Sequence, residues 1–356
     1  MDYVQLIINT GGVSTKVAIF INDKLIQEQV LKHDVEKLKE FATAMDQAEF
    51  RKQLILDFLA EHHYSVEQID IFVGRGGLLR PLKQGGTYLV TEKMVDDLRN
   101  CRYGSHAANL GAIIAYELAK PINRPAYTVN PVSVDEFNDF ARVSGLKGIE
   151  RRSVFHVLNH KAIAKRHAKT IGKPYESMNL IVCHLGSGIS VGLHEKGRVV
   201  DVNNALGGDG PFSTERTGTV PTYPLVDLCF SGKYTIQEVK KLLAGEGGLV
   251  SYLGTSNGIE IDKRIKEGDQ EAAFYFQAMA YTVVKEIGAM YFVAKGKIDA
   301  VLITGGLANN ETFVNHIKDY VTPIAPVFVY AGEDEMRALA EGALRVLNQE
   351  EKLQAY

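Results

Sequence analysis

Twice along its length the chain runs through one order of signals: an apolar run, a glycine-rich bend, a second run, a second bend and a third run. In the first half these are YVQLIINT (residues 3–10), Gly11-Gly12, TKVAIFI, Asn22-Asp23 and KLIQEQVL. Near residue 150 the pattern restarts. NLIVCHLG leads into a Gly-Ser-Gly bend and then SVGLHEKGRVVDV, which reads as a hairpin turning at Lys196-Gly197. Short runs rich in Val and Ile, bounded by Gly and Asn, are the signature of strands. Each half later carries a helix feeding a strand that ends in paired glycines, VGRGG and ITGG. Repetition at this scale points to a duplicated α/β domain and not to a short repeat.

The length of 356 residues suits two cores better than one. Helical spacing is read at about 46–63, 91–101, 106–120, 153–171, 235–244, 269–295 and 334–349, and further strands at IDIFVG, PAYTVN, DAVLITGG and PVFVYA. No low-complexity linker separates the halves, so two packed domains flanking a cleft are expected. With 46% hydrophobic and 23% charged residues and a formal net charge of −3, the chain has no electrostatic footprint for nucleic acid or an anionic membrane. Phosphate binding must then come from local loops and a few placed cations. Three scattered cysteines, Cys101, Cys183 and Cys229, fit a reducing compartment, and without a C-x-x-C pair no structural zinc is expected. The N-terminal apolar run lacks a basic flank and is too short for a signal peptide or a membrane span, so the expected location is cytoplasmic.

The bends carry the chemistry. Asn9-Thr10-Gly11-Gly12-Val13-Ser14-Thr15-Lys16 combines backbone freedom, two hydroxyls and a cation. Such a turn brings N–H groups close to an anion. It is not a G-x-x-x-x-G-K-[ST] loop, because the lysine follows the hydroxyls. A plain β-hairpin explains it equally well in isolation. His184-Leu185-Gly186-Ser187-Gly188 stands at the matching place in the second half, and two such turns can hold both ends of a polyphosphate. Gly305, Gly306 and Asn309 follow a third strand, where they either admit a nucleotide or cap the strand. Phosphoryl transfer also needs cations on the transferring oxygens. Arg75, flanked by glycines, and Arg216, in an irregular segment, are the candidates, against surface ion pairs as the plain alternative. Asp135 either caps a following helix or holds a metal. Glu333, Asp334 and Glu335 precede the last helix, where acidic residues ordinarily complement the helix dipole. His106, His156 and His184 lie beside loops.

These motifs, in this order, resemble the butyrate kinases within the acetate kinase family of the actin/hexokinase/Hsp70-like fold. The resemblance covers nearly the whole chain. VGRGGLLRPLKQGGTY, YGSHAANLGAIIAYELA, IERRSVFHVLNHKAIA, LIVCHLGSGISVGLHEKGRVVDVNNALGGDGPFSTERTG and YAGEDEMRALAEGAL carry it. It implies two duplicated ribonuclease-H-like domains with an interdomain cleft. The N-terminal domain would comprise residues 1–150 plus a returning segment 330–356 on the carboxylate side, and the C-terminal nucleotide-binding domain residues 151–329. It also implies ATP/ADP and Mg²⁺ as cofactors and a short-chain carboxylate as acceptor, in a dimer or an assembly of dimers. Butyrate is the first reading of the acceptor. Isobutyrate, 2-methylbutyrate, isovalerate, propionate and acetate are alternatives, and a non-catalytic nucleotide-binding protein on the same fold is another.

By matched position, Asn9, Gly11, Gly12, Ser14 and Lys16 would form the first phosphate loop. His184, Gly186, Ser187 and Gly188 would form the second, and Gly305, Gly306 and Asn309 would line the adenosine site. Arg75 and Arg216 would stabilise the transferring phosphoryl and His156 would hydrogen-bond its oxygens. Asp135 and Glu335 would serve magnesium, with Glu333 a neighbouring candidate. One departure stands out: Gly12 occupies a place where the family usually has serine, so the loop has one hydroxyl fewer.

Overall fold

The computed structural model describes residues 2–356 and divides into two compact units, Met1–Asp135 with Asp334–Tyr356, and Glu136–Glu333. In the first unit the strands are β1 (Val4–Thr10), β2 (Ser14–Ile21), β3 (Lys24–Lys32), β4 (Ile71–Gly74), β5 (Thr87–Leu89) and β6 (Ala126–Val129). They form one sheet in the order β3-β2-β1-β4-β6-β5. The first three are an antiparallel meander, β4 and β6 join in parallel, and β5 returns antiparallel. Helices α1 (Val35–Lys39), α2 (Ala48–Glu61), α3 (Glu92–Arg99) and α4 (Asn109–Ala119) belong to this unit. Thr91 caps α3 through its hydroxyl, as its type and position predict.

The second unit opens with a small hairpin, β7 (Val143–Leu146) and β8 (Ile149–Glu150), then α5 (Val157–Thr170). Strands β9 (Asn179–Leu185), β10 (Ile189–Glu195) and β11 (Arg198–Val202) form the second meander. Helices α6 (Thr222–Cys229), α7 (Ile236–Leu243), α8 (Leu249–Leu253), α9 (Gly258–Lys266) and α10 (Gln270–Val293) follow. The unit ends with β12 (Ala300–Gly305), α11 (Glu311–Val321) and β13 (Val327–Ala331). The sheet order is β11-β10-β9-β12-β13, with β12 parallel to both β9 and β13. This repeats the first five strands of the other sheet, strand for strand. The β10–β11 connection turns at Lys196 (φ 48°) and Gly197 (φ 85°), the two positive φ values a tight hairpin needs.

Alternation along the strands sorts the second unit's core. Ile181, Cys183, Val191 and Leu193 pack with Met279, Val283 and Ile287 of α10. Leu180 and Val182 face the other way, with Ala164 and Ala168 of α5. The last helix, α12 (Glu335–Leu347), returns to the first unit, where the Thr87 hydroxyl donates to Gly342 O at 2.9 Å. Among the described residues no helix is long and apolar enough to cross a membrane.

Three local expectations are corrected. The helix read from 153 starts at Val157, because Val154 lends its carbonyl to Ala205 N instead of to a helical turn. No α-helix starts at Asp135: Asn138 N donates to Val200 O, residues 136–138 are irregular, and only a short 3₁₀ helix, Phe140–Arg142, comes after them. The sequence reading also passes over α11, although Asn310 caps it and Phe313, Val314, Ile317 and Val321 line its buried face.

The glycines that end β4 set how closely α4 can approach. A Cβ on Gly74 would lie 2.1 Å from Gly111 O, a backbone atom that cannot swing aside. Gly74→Ala is therefore expected to push α4 off the sheet and cost about 1–3 kcal/mol by overpacking. Chemical denaturation measures this, and a midpoint equal to that of the unsubstituted protein would refute the close-approach argument.

Candidate active site

In the first unit the β1–β2 bend is held from beneath by a cation absent from the sequence reading. Arg51, fully buried on α2, donates to Gly11 O (2.8 Å), Gly12 O (2.9 Å), Ser14 O and the Thr15 hydroxyl (both 3.1 Å), and to the Gln47 side chain. In a trans peptide the C=O and the next N–H point opposite ways. Carbonyls turned to Arg51 therefore turn the N–H groups of Gly12 and Val13 away from it, which is what an anion-binding loop requires. Burial pushes the Arg51 pKa down to about 10, so it stays charged at neutral pH. His33 Nε2 meets the Thr15 hydroxyl at 2.9 Å, and burial, with the Arg51 charge, pushes its pKa down to about 4, leaving it neutral. Gly12 has open space around it: an added Cβ would meet nothing within 4 Å, so the missing serine is not a steric exclusion. Lys16, read as a phosphate cation, lies on β2 with its ammonium 2.9 Å from Glu28.

Three predicted site residues come together at the end of β1. Glu335 Oε2 accepts from Asn9 Nδ2 and from Arg75 Nη1, both at 2.7 Å, and Arg75 Nη1 lies 3.5 Å from Asn9 Oδ1. Asp334 takes the helix-capping role, accepting from Arg337 N, which leaves Glu335 to the site. His106 is near enough to Arg75 that burial and then that charge lower its pKa, and its Nδ1 accepts from Ala108 N. Half-buried Asp135 ends the segment after β6, its N–H donating to Leu82 O at 2.7 Å.

In the second unit the β9–β10 bend, Gly186 to Gly188, is tied from outside. The Ser213 hydroxyl donates to Ser187 O, and Arg216 Nη1 donates to Ala205 O at 2.5 Å. A Cβ on Gly188 would lie 1.8 Å from Arg216 Nη1, so this glycine is the space the guanidinium crosses. Burial lowers the Arg216 pKa, and Glu215 acts against that shift. His184 is buried with both nitrogens engaged, Nδ1 with Asn159 (3.1 Å) and Nε2 with Glu333 (3.1 Å), and its ring stacks on His156 at 3.8 Å. Of the two glutamates weighed from sequence, Glu333 thus stands on His184 and Glu335 on Arg75.

Beside this bend opens a cavity of about 410 Å³, the size of a small-molecule site. Gly186 and Ser187 line one side and Gly306, Leu307 and Asn309 another, so it gathers the second and third glycine motifs. Gly305 makes the approach possible: at φ 92°, a Cβ there would lie 2.3 Å from Leu185 O. Asn257, the cap of α9, and Asp262, in the middle of that helix, complete the wall and were not singled out by sequence. Asp262 accepts from Asn310 Nδ2 at 2.8 Å, and Asn257 caps α9. The Asn-Gly pair at 257–258 was the available signal.

The architecture is that of two-domain α/β kinases. An acetate kinase from Porphyromonas gingivalis superposes with a TM-score of 0.79 at 20% identity, over 97% of this chain and all of that one. A propionate kinase from Francisella tularensis gives 0.74 at 17% identity, over 96% and 98%. A ROK family protein from Streptococcus pneumoniae is looser, at 0.52 and 13% identity, over 97% and 100%. The Acetokinase family model matches residues 141–339, more than half of the chain. The chain belongs to the acetokinase family, and so is a kinase working on a small carboxylate and a nucleotide.

Arg51→Met is expected to leave the Gly11 and Gly12 carbonyls without this donor, at an order-of-magnitude cost of about 2–3 kcal/mol. It should also weaken nucleotide binding through loop disorder. A thermal melt and a nucleotide titration check both; a stable variant with intact binding would sink the clamp assignment.

Proposed function

We propose that this enzyme transfers the γ-phosphoryl group of ATP to butyrate, reversibly, giving butyryl phosphate and ADP. The observation that carries the kinase chemistry is the meeting of Asn9, Arg75 and Glu335 at the end of the first phosphate loop, at 2.7 Å contacts. The choice of butyrate is supported by the segments around VGRGGLLRPLKQGGTY and YGSHAANLGAIIAYELA, which resemble butyrate kinases. On this reading the second unit takes the nucleotide. Its adenosine part enters the cavity by Gly305, Gly306 and Asn309, and its phosphates lie along His184, Gly186, Ser187 and Gly188. The first unit takes the acceptor and supplies Asn9, Gly11, Gly12, Ser14 and Lys16.

An aliphatic carboxylate with a pKa near that of a glutamate side chain, about 4.3, is already ionised at pH 7, so no general base is required. A carboxylate oxygen attacks the γ-phosphorus in line, the new O–P bond forms, and the bond to the ADP oxygen breaks with its electron pair leaving on ADP. The obstacle is charge. Two unit charges about 4 Å apart repel by roughly 4 kcal/mol at an effective dielectric of about 20. Arg75 and Arg216 screen that repulsion, and His156 donates to a phosphoryl oxygen.

The donor set fits magnesium, a hard cation usually bound by one or two carboxylates together with substrate phosphates. Glu335 supplies a carboxylate and Asn9 an amide oxygen, with Asp135 the second carboxylate of the same unit. Among the described residues no group of three or more acidic, histidine or cysteine side chains forms a self-sufficient metal site, which suits an ion that arrives with the nucleotide. When bound it would neutralise phosphate charge.

A hydroxamate assay over a panel of aliphatic acids, with ATP and Mg²⁺, tests the reading. Butyrate is expected to give the highest kcat/KM, and neighbouring acids to fall by about 1–3 kcal/mol per methylene changed. Arg75→Ala and Arg216→Ala should each lower kcat by roughly 10²–10³. Trapped product from acetate or propionate in preference would displace butyrate; no trapped product from any acid would remove the reading.

A further inference from the structure

A second set of polar side chains lies inside the nucleotide-side unit. Val191 and Leu193 of β10 pack toward α10, so Ser190, Gly192 and His194 face α5. From α5, His160 reaches between Ser190 and His194. The room is made by Gly192, where an added Cβ would lie 3.1 Å from His160 Nδ1. Four contacts then run in line: His156 Nδ1 to Ser190 Oγ (2.9 Å), Ser190 Oγ to His160 Nε2 (2.8 Å), His160 Nδ1 to His194 Nε2 (3.3 Å), and His194 Nδ1 to Tyr175 OH (2.8 Å). Ser190, His160 and His194 are wholly buried and Tyr175 is 4% exposed.

Burial holds His160 and His194 well below the ordinary imidazole range, the neighbouring histidines adding to this at His160 and Lys161 at His194. Each ring is therefore neutral, with one nitrogen a donor and the other an acceptor. Among the described residues the buried Ser190 hydroxyl meets only these two rings, so a serine accepting from both would leave its own proton unpaired, and two polarities remain that satisfy every link. Either Tyr175 donates and every imidazole is Nε2–H, or His156 donates from Nδ1 and every imidazole is Nδ1–H. The Tyr175 end favours the first of them. A phenol O–H with a pKa of about 10 is a good donor to an imidazole nitrogen, whereas a phenol oxygen is a poor acceptor.

We propose that Tyr175 is a positioning residue: through His194, His160 and Ser190 it fixes His156 as the Nε2–H tautomer, a permanent donor to the transferring phosphoryl. This rests on the reading of His156 given above. The test is two-bond ¹⁵N–¹H correlation spectroscopy on ¹⁵N-histidine-labelled protein at pH 8, with resonances assigned by single His→Gln variants. A free imidazole averages both tautomers, so a lock shows as limiting nitrogen shifts. His156, His160 and His194 are expected at the Nε2–H limit, and any of them at the Nδ1–H limit overturns the proposal, whatever a variant does. In Tyr175→Phe the His160 and His156 shifts should move to averaged values. At the same time kcat should fall roughly three- to tenfold at unchanged nucleotide KM, a fraction of the 10²–10³ that a lost donor costs. Unmoved shifts in that variant overturn the relay. Moved shifts with unchanged kcat uphold it and count instead against His156 as a phosphoryl donor.

Discussion

A loop that shows its N–H groups to an anion must turn its carbonyls inward, and buried carbonyls need donors. That constraint governs both glycine bends. In the first unit one Arg51 guanidinium serves Gly11, Gly12 and Ser14, while Gly11 N also donates to Ser14 O and His33 N serves Val13 O. In the second unit the Ser213 hydroxyl serves Ser187 O and Gly186 N serves Gly188 O, while Arg216 passes over Gly188 to Ala205 O outside the bend. The glycines satisfy the other half of the problem, close approach. At Gly188 and Gly305 the atoms that a side chain would strike are a guanidinium held by Ala205 O and a backbone carbonyl that cannot swing aside.

The two sheets share five strands in the same order, yet the equivalent ends have diverged in chemistry. β1 ends at Asn9 and Thr10, next to Arg75 from the Gly-rich end of β4. β9 ends at His184 and Leu185, next to Gly305 at the matching end of β12. One parallel strand delivers a cation and the other delivers bare backbone with a cavity of about 410 Å³ beside it. The same strand order occurs twice, and the residues at the strand ends differ: an arginine in one unit and a glycine in the other.

What could be read from sequence was what local rules decide. The strands of both meanders, the Lys196-Gly197 hairpin and α10 follow from periodicity and turn chemistry within a few residues of their observed bounds. Arg75 was legible because glycines on both sides make a helix-surface explanation poor. Arg51 was not, because it sits in an ordinary amphipathic helix and its five acceptors lie 36 to 40 residues away or one turn back. That Glu333 meets His184 while Glu335 meets Asn9 and Arg75 likewise depends on partners distant in sequence. Glu335 is 326 residues from Asn9, and no local pattern marks that pairing. The helix expected after Asp135 failed for the same reason in reverse, since a long-range bond from Asn138 to Val200 overrode a plausible local signal.

A reaction whose nucleophile is already ionised gives histidine no base to be. Imidazoles beside such a site are useful only as donors, and a donor is dependable only if its proton cannot migrate to the other nitrogen. Solvent would allow that exchange; a closed, buried row of partners forbids it unless every link reverses together. The same burial that lowers the pKa of His160 and His194 removes the charged form, through which tautomers most easily interchange. Gly192 belongs to this device as much as the histidines do, because any larger residue would narrow the space in which the His160 ring reaches both neighbours. A glycine in the middle of a buried strand, costly by propensity, is thereby accounted for by a polar ring on the adjacent helix.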